Sequence, residues 1–359
     1  MESSAAAGAT LGRGWSDRRT VDATMDDVAR AAGVSRSLVS LVFQDSPKVA
    51  PSSRAKVLAA AGALGYRPNA LARSLASKQV RTVGVLLNDI SNPFFAAVYD
   101  ALAECAETRG YSILLGAGQR SSAREREIVA GFLSHRVGGL ILVSPRMSVS
   151  SIEELTSGLP SVLVGRDVRL RDVDTITNDE MTGARAALGH LVSLGHRDIA
   201  HVSGGKGAGA AERRAAYTRG MTERGLAEYV RVVVGDFTEQ SGETAARQLI
   251  TSGALPTAVL AANDMIAVGM MGVFQDAGID VPSDISIVGY DNLTLSSLSM
   301  ISLTSVAQPL ADFGRAAMEL LLERVDGART TRVRRQFEPA LIVRGSTGAV
   351  GPRPSIPAR

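Results

Sequence analysis

The chain has 359 residues, 45% of them hydrophobic and 21% charged, which is typical of a globular protein with two or three domains. The single cysteine, Cys105, excludes an internal disulfide and a multi-cysteine zinc site, and the four histidines lack the spacing of metal ligands. Because the sequence has neither an apolar signal core nor an 18-residue apolar run, we expect a cytoplasmic protein that does not enter a membrane.

The net charge of +3 is distributed unevenly along the chain. Residues 1–80 contain 11 Lys and Arg against 6 Asp and Glu, a net charge of +5, whereas the remaining residues have a net charge of −2. A basic region suits a polyanionic partner such as nucleic acid. A solvated charged surface explains the same count equally well.

A disordered extension followed by two short helices is predicted at the start of the chain. Residues 1–23 are rich in Ala, Gly, Ser and Arg and show no periodicity. Order should begin at Thr24, a favourable N-cap residue, and Gly33 should end the first helix. Ser35 can cap a second helix of about eight residues, so the pair and its tight turn have the helix-turn-helix pattern.

A third helix should begin near Pro51 and end at Gly65. The inner faces of the three helices are apolar and can enclose one small core. They consist of Val28, Ala29 and Ala32 in the first helix, Leu38, Val39 and Val42 in the second, and Val57, Ala60, Ala61 and Leu64 in the third.

A short segment, residues 69–79, follows this headpiece of residues 24–68. Asn69 can cap a helix in it, with Leu71, Ala72 and Leu75 along one side. A helix of this length is marginal in water, and a plain linker is the alternative.

Apolar runs alternate with helical stretches from residue 80 to residue 345, a pattern typical of α/β folds in which helices cover both faces of parallel sheets. The predicted strands are 82–87, 111–115, 139–143, 161–165, 198–202, 257–261 and 285–290, and the predicted helices are 94–109, 122–134, 180–193, 211–224, 240–252 and 264–277. These elements are too many for one sheet, so we expect two doubly wound lobes. A ligand cleft should lie between them at the carboxyl ends of the strands. Residues 346–359 should form a flexible tail.

Six motifs, in order along the chain, resemble those of LacI/GalR-type bacterial transcription regulators. They are TMDDVARAAGVSRSLVSLVF, YRPNALARSLASKQ, VGVLLNDISNPFF, ERRAAYTRGM, AANDMIAVGMM and DISIVGYDN. The resemblance extends from about Thr24 to Gly345 and implies a helix-turn-helix headpiece, a hinge helix and a core like the periplasmic sugar-binding proteins. It also implies a cytoplasmic, nucleoid-associated homodimer without a cofactor. That dimer would bind double-stranded operator DNA, most often as a repressor, under the control of a small metabolite in the cleft.

By this resemblance, residues 35–43 form the recognition helix, whose N-terminal residues enter the major groove. Arg36 and Ser37 match the two specificity positions of the family, and Arg36 can pair with guanine O6 and N7. Further contacts, mainly to phosphates, are expected from Thr24, Ser35, Ser40, Lys48 and Arg54.

Leu41 stands where many family members carry an arginine that reads the operator. An isobutyl group can only contact a thymine methyl group or fill space, so we expect the operator to depart from the common family consensus at that base pair. Helical spacing places Leu41 on the outer face, one turn from Ser37. The alternative is that Leu41 fills space in the headpiece core.

The resemblance also implies that residues 69–76 fold only on cognate DNA. Two copies would meet in the minor groove, where Leu75 wedges into the central base step and kinks the duplex. Asn69 would cap this hinge helix, and the small Ala72 would allow close approach. An ordinary linker residue is the alternative for Leu75.

The resemblance implies six effector-binding residues: Asp89, Phe94, Phe95, Arg213, Asn263 and Asp291. Their carboxylates, amide and guanidinium suit a hydroxyl-rich ligand, and the phenyl rings could stack on a sugar face. Helix capping is the alternative for Asp89 and Asn263, and lobe core is the alternative for Phe94 and Phe95.

Three positions depart from the family pattern and leave the ligand open. They are Gly165–Arg166, the loop GGKGAGA at residues 204–210, and Ala216 in place of a glycine. Arg166 is consistent with an anionic ligand or with a surface arginine. The loop is consistent with phosphate binding, but it lacks the G-K-[ST] ending of a nucleotide-hydrolysing loop. A solute-binding protein would not explain the basic N-terminal region, and no nucleophile–base pair, metal cluster or cofactor motif indicates an enzyme.

Overall fold

The computed structural model describes residues 23–43, 46–66 and 80–351. The chain divides into a first unit that ends at Val80 and a second that begins at Arg81. Within the described ranges, no helix combines the length and hydropathy that a membrane span requires. The predicted extension, hinge helix and last eight residues of the tail lie outside these ranges.

The described residues of the first unit form three helices, α1 (Met25–Ala32), α2 (Arg36–Phe43) and α3 (Pro51–Ala63). The side chain of Thr24 accepts a hydrogen bond from the Asp27 amide, and the Asp27 carboxylate accepts one from the Thr24 amide at 2.9 Å. This reciprocal cap starts α1, and Gly33 ends it with a left-handed φ of 65°. Ser35 Oγ accepts from the Leu38 amide at 3.2 Å and caps α2, so the predicted helix starts are confirmed.

One apolar cluster holds the three helices together. Its buried members are Val28, Ala29, Val39, Val42, Val49, Val57 and Ala61. The prediction for Leu64 is wrong, since its side chain is 41% exposed. Because α3 ends at Ala63, Leu64 already lies at the C-cap, where the helical periodicity no longer applies.

Between residues 81 and 351, the second unit forms twelve strands in two six-stranded sheets. The strands are β1 (Thr82–Leu87), β2 (Ser112–Ala117), β3 (Leu140–Val143), β4 (Ser161–Val164), β5 (Asp174–Asn178), β6 (Ile199–Val202), β7 (Arg231–Val233), β8 (Ala258–Ala261), β9 (Ser286–Asp291), β10 (Thr304–Ala307), β11 (Arg334–Phe337) and β12 (Ala340–Ile342). The first-lobe sheet has the order β11-β5-β4-β3-β1-β2, and the second-lobe sheet has the order β12-β10-β9-β8-β6-β7. Every pairing is parallel except that of β12 with β10.

Eight helices cover the two sheets. They are α4 (Pro93–Thr108), α5 (Ser122–Ser134), α6 (Val149–Thr156), α7 (Glu180–Ser193), α8 (Ala210–Glu223), α9 (Glu239–Thr251), α10 (Asp264–Asp276) and α11 (Leu310–Val325). Along β1, Val83 and Val85 face one apolar cluster with α4 and α11, whereas Leu86 faces another with α5 and α6. This alternation of side chains buries both faces of the sheet.

The chain passes between the lobes three times, after β5, after β10 and after β11. Three short connections therefore join the lobes, and the carboxyl ends of both sets of parallel strands border the space between them. The predicted α/β class and two doubly wound lobes are confirmed, with one antiparallel edge strand in addition. Five strands (β5, β7, β10, β11 and β12) and two helices (α6 and α11) were not predicted.

The predicted flexible tail is wrong for its first residues. Ser346 is buried, and its hydroxyl accepts a hydrogen bond from the Thr304 amide at 2.8 Å while its carbonyl accepts from the Ile287 amide at 2.8 Å. Further on, the Val350 amide donates to the Leu194 carbonyl at 3.0 Å. The hydrogen-bonded structure of the second lobe therefore extends to Val350, although the Val350 side chain is exposed.

Candidate functional site

The exposed start of α2 carries the residues that were predicted to read bases. Arg36 and Ser37 are both exposed. Arg36 lies 3.6 Å from a carboxylate oxygen of Asp26, an exposed ion pair of little strength, so its guanidinium can be redirected at low cost. The Ser37 hydroxyl lies 2.9 Å from that of Ser35, which caps the helix.

Several predicted phosphate contacts also have roles within the headpiece. Thr24 and Ser35 cap α1 and α2, respectively. The guanidinium of Arg54 is half-buried and donates to the Ser46 carbonyl at 2.8 Å and, more weakly, to the Val42 carbonyl at 3.4 Å. Arg54 therefore supports the end of α2. Its contact with DNA stays a prediction, as do those of Ser40 and Lys48.

The spacing predicted that Leu41 lies on the outer face of α2, but the structure places only part of its side chain there. Its side chain is half-buried and packs against the cluster that holds the three helices together. The alternative of core packing is therefore correct for part of the side chain, and the remainder is exposed beside the reading surface. Asn69, Ala72 and Leu75 lie outside the residues that the structure describes.

All six predicted effector residues line one cleft between the lobes of the second unit, with a volume of about 590 Å³. Asp89 follows β1, Asn263 follows β8, and Asp291 ends β9. Phe94 and Phe95 lie in the first turn of α4, opposite the second lobe. The cleft thus lies at the carboxyl ends of the strands, where a doubly wound fold places its ligands.

Arg213 lies in the first turn of α8, buried in the cleft wall. Its Nε donates to Glu180 Oε2 at 2.8 Å, and its Nη1 donates to the Ala262 carbonyl at 2.5 Å. The guanidinium carbon lies 3.6 Å from the centroid of the Tyr290 ring, a cation–π contact. Burial is the largest single influence on Arg213 and lowers its pKa, but Glu180, Tyr290 and Asp291 together outweigh burial and raise the pKa, so the group stays charged.

Asp291 is buried at the end of β9, with a left-handed φ of 109°. Its Oδ1 accepts a hydrogen bond from Gln308 Nε2 at 2.6 Å and lies 3.8 Å from Nη1 of Arg213. Burial raises the pKa of Asp291 to about 8, because the Arg213 charge, already paired with Glu180 at shorter distance, does not replace the lost hydration.

The capping and core alternatives describe four of the six residues in part. Asn263 Oδ1 caps α10 by accepting from the Ile266 amide at 3.0 Å, and Asp89 Oδ1 accepts from the Ser91 amide at 3.0 Å. Phe94 and Phe95 pack edge to face, with centroids 5.1 Å apart, and belong to the first-lobe core. Each of these side chains borders the cleft while it also stabilises the fold.

The cleft also contains polar residues that sequence reasoning missed. They are Asn88, Asn92, Arg120, Ser144, Arg146, Glu180, Asp236 and Gln308. Arg146 follows β3 and Asp236 follows β7, so the carboxyl-end rule, applied to every strand, would have found both. Phe237 also lines the cleft, and its ring packs against Gly204 and Gly207, where any Cβ atom would lie within 2.4 Å of it. The glycines of residues 204–210 thus make room for this ring.

Arg166 does not line the cleft. Its Nη1 donates to the carbonyls of Pro145 and Met147 at 3.0 and 2.7 Å. The hypothesis that Arg166 itself binds an anion in the cleft is therefore wrong. Its guanidinium donates instead to the backbone carbonyls on either side of Arg146.

Two family models match this sequence. "Bacterial regulatory proteins, lacI family" matches residues 24–69, and "Periplasmic binding protein-like domain" matches residues 188–347. Catabolite control protein A of Priestia megaterium is 38% identical over 307 residues, which cover 84% of this chain and 92% of that protein. The chain belongs to the LacI/GalR family of bacterial transcription regulators. It is therefore a DNA-binding transcription regulator, and its relatives are not enzymes.

Solved structures of this family are similar to about nine-tenths of this chain. The lac repressor dimer bound to operator and the anti-inducer ONPF is 29% identical, with a TM-score of 0.80, and covers 91% of this chain and 100% of its own. The complex of the transcriptional regulator CelR with cellobiose is 30% identical, with a TM-score of 0.66, and covers 90% of this chain and 99% of its own. The LacI/GalR architecture thus accounts for both described units.

Proposed function

We propose that this LacI/GalR regulator is a homodimeric repressor whose operator affinity is controlled by a polar metabolite in the cleft. The observation that carries the proposal is the convergence of Asp89, Arg213 and Asp291 from two lobes on one cleft. A few convergent polar groups in a cleft between two lobes suit a small polar ligand. The cellobiose complex of the structurally similar CelR supports a sugar or related compound.

The mechanism couples the cleft to the DNA through the position of the lobes. Three short connections join the lobes, so a ligand that contacts both lobes favours one degree of closure over another. In a dimer, that closure would set the spacing of the two segments at residues 69–76 and so stabilise or melt the paired hinge helices. Two sites coupled through one two-state element meet the definition of allostery.

The operator contacts follow from the exposed end of α2. Arg36 and Ser37 would read bases in the major groove, with Leu41 beside them. The residues that cap α1 and α2, Thr24 and Ser35, would hold phosphates, since the amides at helix starts face anions. A dimer doubles these contacts on a pseudo-palindromic site. The operator-bound dimer of the similar lac repressor supports this assembly.

Fluorescence anisotropy on a duplex from the regulator's own promoter region tests the proposal. The full chain should bind this duplex more tightly than a scrambled one, and a sugar that binds the cleft should change that affinity. Equal affinity for both duplexes would contradict sequence-specific regulation. An operator affinity that stays the same with every ligand that binds the cleft would contradict the coupling between the cleft and the DNA.

The hinge has a test of its own. Leu75→Ala should lower the affinity for the specific site by about 1–3 kcal/mol, because the wedge into the central base step is lost. Affinity for random DNA should barely change. An equal loss of affinity on both duplexes would contradict the proposed wedge. Unchanged specific affinity after residues 69–76 are replaced by Gly and Ser would contradict the proposed hinge helix.

A further inference from the structure

Arg146 is the cleft arginine without an acidic partner. Among the described residues, Arg120 pairs with Asp236 at 2.5 Å and Arg213 pairs with Glu180 at 2.8 Å, whereas no described carboxylate pairs with the Arg146 guanidinium. The Nε of Arg146 is buried and donates to no described acceptor. Nη1 and Nη2 of Arg146 also make no hydrogen bond or ion pair with the described residues, so this guanidinium is the positive group that the cleft offers to a ligand.

The backbone that carries Arg146 is fixed from two sides. The buried carboxylate of Glu125 accepts hydrogen bonds from the amides of Arg146, at 2.8 and 3.0 Å, and of Met147, at 2.9 Å. On the other side, Arg166 donates to the carbonyls of Pro145 and Met147. The buried Glu125 and the half-buried Arg166 thus hold this turn, and neither lines the cleft.

The bonds from Glu125 have a consequence for the charge of the site. They occupy both oxygens of the carboxylate, so Glu125 is committed to the backbone and does not form an ion pair with the guanidinium of Arg146. The turn therefore fixes the backbone from which the Arg146 side chain extends into the cleft, and this lowers the entropic cost of ordering that side chain on an anion. This also explains what Arg166 does, since it positions Arg146 and does not itself bind an anion.

Residues in the same cleft as Arg146 also have acceptor oxygens that a hydrogen-bond donor of the ligand could satisfy. Asn88 Oδ1 is buried and accepts from no described group. Asp89, one residue further along the same loop, offers a carboxylate to the same space. A ligand that satisfies these atoms has hydroxyl groups beside its anion, since a hydroxyl can donate to both acceptors.

The remaining charges limit the anion to one negative charge. Four carboxyl groups border the cleft: Glu180 and Asp236 already pair with Arg213 and Arg120, Asp291 lies 3.8 Å from Arg213, and Asp89 lies beside Asn88. A dianion such as a phosphate monoester would face these carboxylates with one unpaired arginine to offset them. A planar carboxylate matches the guanidinium with two parallel hydrogen bonds and a single charge.

We infer that the effector is a polyhydroxylated monocarboxylate, a sugar acid, whose carboxylate binds Arg146 and whose hydroxyl groups donate to Asn88 and Asp89. The inference rests on the proposed function, because it names the ligand class of the same cleft. It differs from that proposal in requiring an anion.

Isothermal titration of the full chain with paired ligands tests the inference. Aldonates and uronates are each compared with the neutral parent sugar, and glucose 6-phosphate is included as a dianion. At least one acid should bind about 10-fold or more tightly than its neutral parent, the value of one charge-assisted pair. In Arg146→Gln that ratio should fall to about 1, since the amide keeps a donor but lacks the charge.

Arg126→Gln is the matched control. Arg126 is exposed on α5 next to Glu125, so this substitution removes the same charge outside the cleft. This variant should keep the preference of the wild type. Equal binding of acids and parents, an acid preference that survives in Arg146→Gln, tighter binding of the phosphate, or no acid bound at millimolar concentration would each overturn the inference. A neutral sugar that alone changes operator affinity would overturn it and leave the proposed function standing, whereas failure to bind promoter DNA would count only against the proposed function.

Discussion

Arg120 and Asp236 form an ion pair that joins the two lobes across the cleft. Nη2 of Arg120 lies 2.5 Å from the Asp236 carboxylate and 3.0 Å from its carbonyl oxygen. Arg120 has a left-handed φ of 61°, and its amide donates to the Asn88 carbonyl at 3.0 Å. Although burial raises the pKa of Asp236, hydrogen bonds from Thr238 and Arg120 lower it to about 2, so the carboxylate is charged at neutral pH.

We expect this pair to stabilise the closed cleft. A double-mutant cycle of Arg120→Gln and Asp236→Asn, measured by urea unfolding, should give a coupling energy of about 1 kcal/mol, because both groups are partly buried and well aligned. The radius of gyration in X-ray scattering should rise in either variant as the lobes open.

The pair of Arg185 and Glu223, 3.1 Å apart, is the control, since it is exposed and lies within the second lobe. Its cycle should give a few tenths of a kcal/mol, with no change in the radius of gyration. A larger coupling in the control than in the inter-lobe pair would show that Arg120 and Asp236 do not hold the lobes together.

Asp291 predicts a pH dependence of stability. Its pKa is raised by burial from 3.8 to about 8, so the folded chain holds this proton more tightly than the unfolded chain. The stabilisation is fully present below about pH 4 and is lost as the pH rises through about 8. Asp291→Asn should therefore reduce the decline of the unfolding free energy across this window, by up to about 1.4 kcal/mol per pH unit.

Chemical unfolding of the wild type and the variant over a pH series checks this expectation. Burial raises the pKa of Asp264 and of Glu125 as well, so the wild type keeps other contributions and the difference between the two curves is the informative quantity. Asp312→Asn, a change at an exposed carboxylate on α11, serves as the control. Parallel curves for the wild type and Asp291→Asn would contradict a proton held by Asp291.

Two glycines of α10 predict opposite effects of the same substitution. A Cβ atom at Gly269 would lie 2.2 Å from the Glu239 carbonyl oxygen of α9, whereas a Cβ atom at Gly272 would meet nothing within 4 Å. Gly269→Ala should lower the free energy of unfolding by about 2 kcal/mol, because a helix backbone must move. Gly272→Ala should raise it by about 0.5–1 kcal/mol through helix propensity. Thermal or urea unfolding checks both signs, and equal effects would show that the two helices do not pack as closely as described.

Much of the fold was predictable because buried strands and their covering helices show up as apolar runs. β1 and α5 have the predicted bounds of residues 82–87 and 122–134. The apolar periodicity of α11, in which Phe313, Ala317 and Leu321 are buried, also indicates a helix, although this helix was not predicted. Local pattern is informative wherever a residue's burial follows from its own hydrophobicity.

β5 could not be predicted in this way. Its sequence, DTITN, is polar, yet all five residues are buried. Asp174 is stabilised there by Arg329, whose Nη2 lies 2.6 Å from one carboxylate oxygen and whose Nη1 lies 3.1 Å from the other. Because the two residues are 155 positions apart, no local pattern announces the partner that makes this burial possible.

The residues of the candidate site likewise divide into those that the local sequence pattern predicts and those that depend on distant partners. Asp89, Asn263 and Asp291 follow apolar strands, so their place at the edge of the sheets was predictable from the strands. Arg146 follows β3 but gives no local sign that its guanidinium lacks a partner. That property depends on the commitment of Glu125, 21 residues earlier, to two backbone amides.

Leu41 decides whether the operator departs from the family consensus. Its side chain is half-buried against the headpiece cluster, and its exposed part lies beside Arg36 and Ser37 on the same helix. Leu41→Arg should change the sequence logo selected from random DNA at one symmetric pair of positions, because a guanidinium donates to guanine whereas an isobutyl group contacts only a thymine methyl. A lower melting temperature of the headpiece should accompany the change, since packing against the cluster is lost.

Leu58→Arg separates base reading from added charge. Leu58 is 51% exposed on α3, so this variant gains the same charge within the same unit without a base contact. It should bind all duplexes somewhat more tightly and select the logo of the wild type. The same logo from Leu41→Arg as from the wild type would show that Leu41 only fills space. An equal change from Leu58→Arg would show that charge alone shifts the selection, because a side chain that reads a base alters one position whereas a phosphate contact alters all sequences alike.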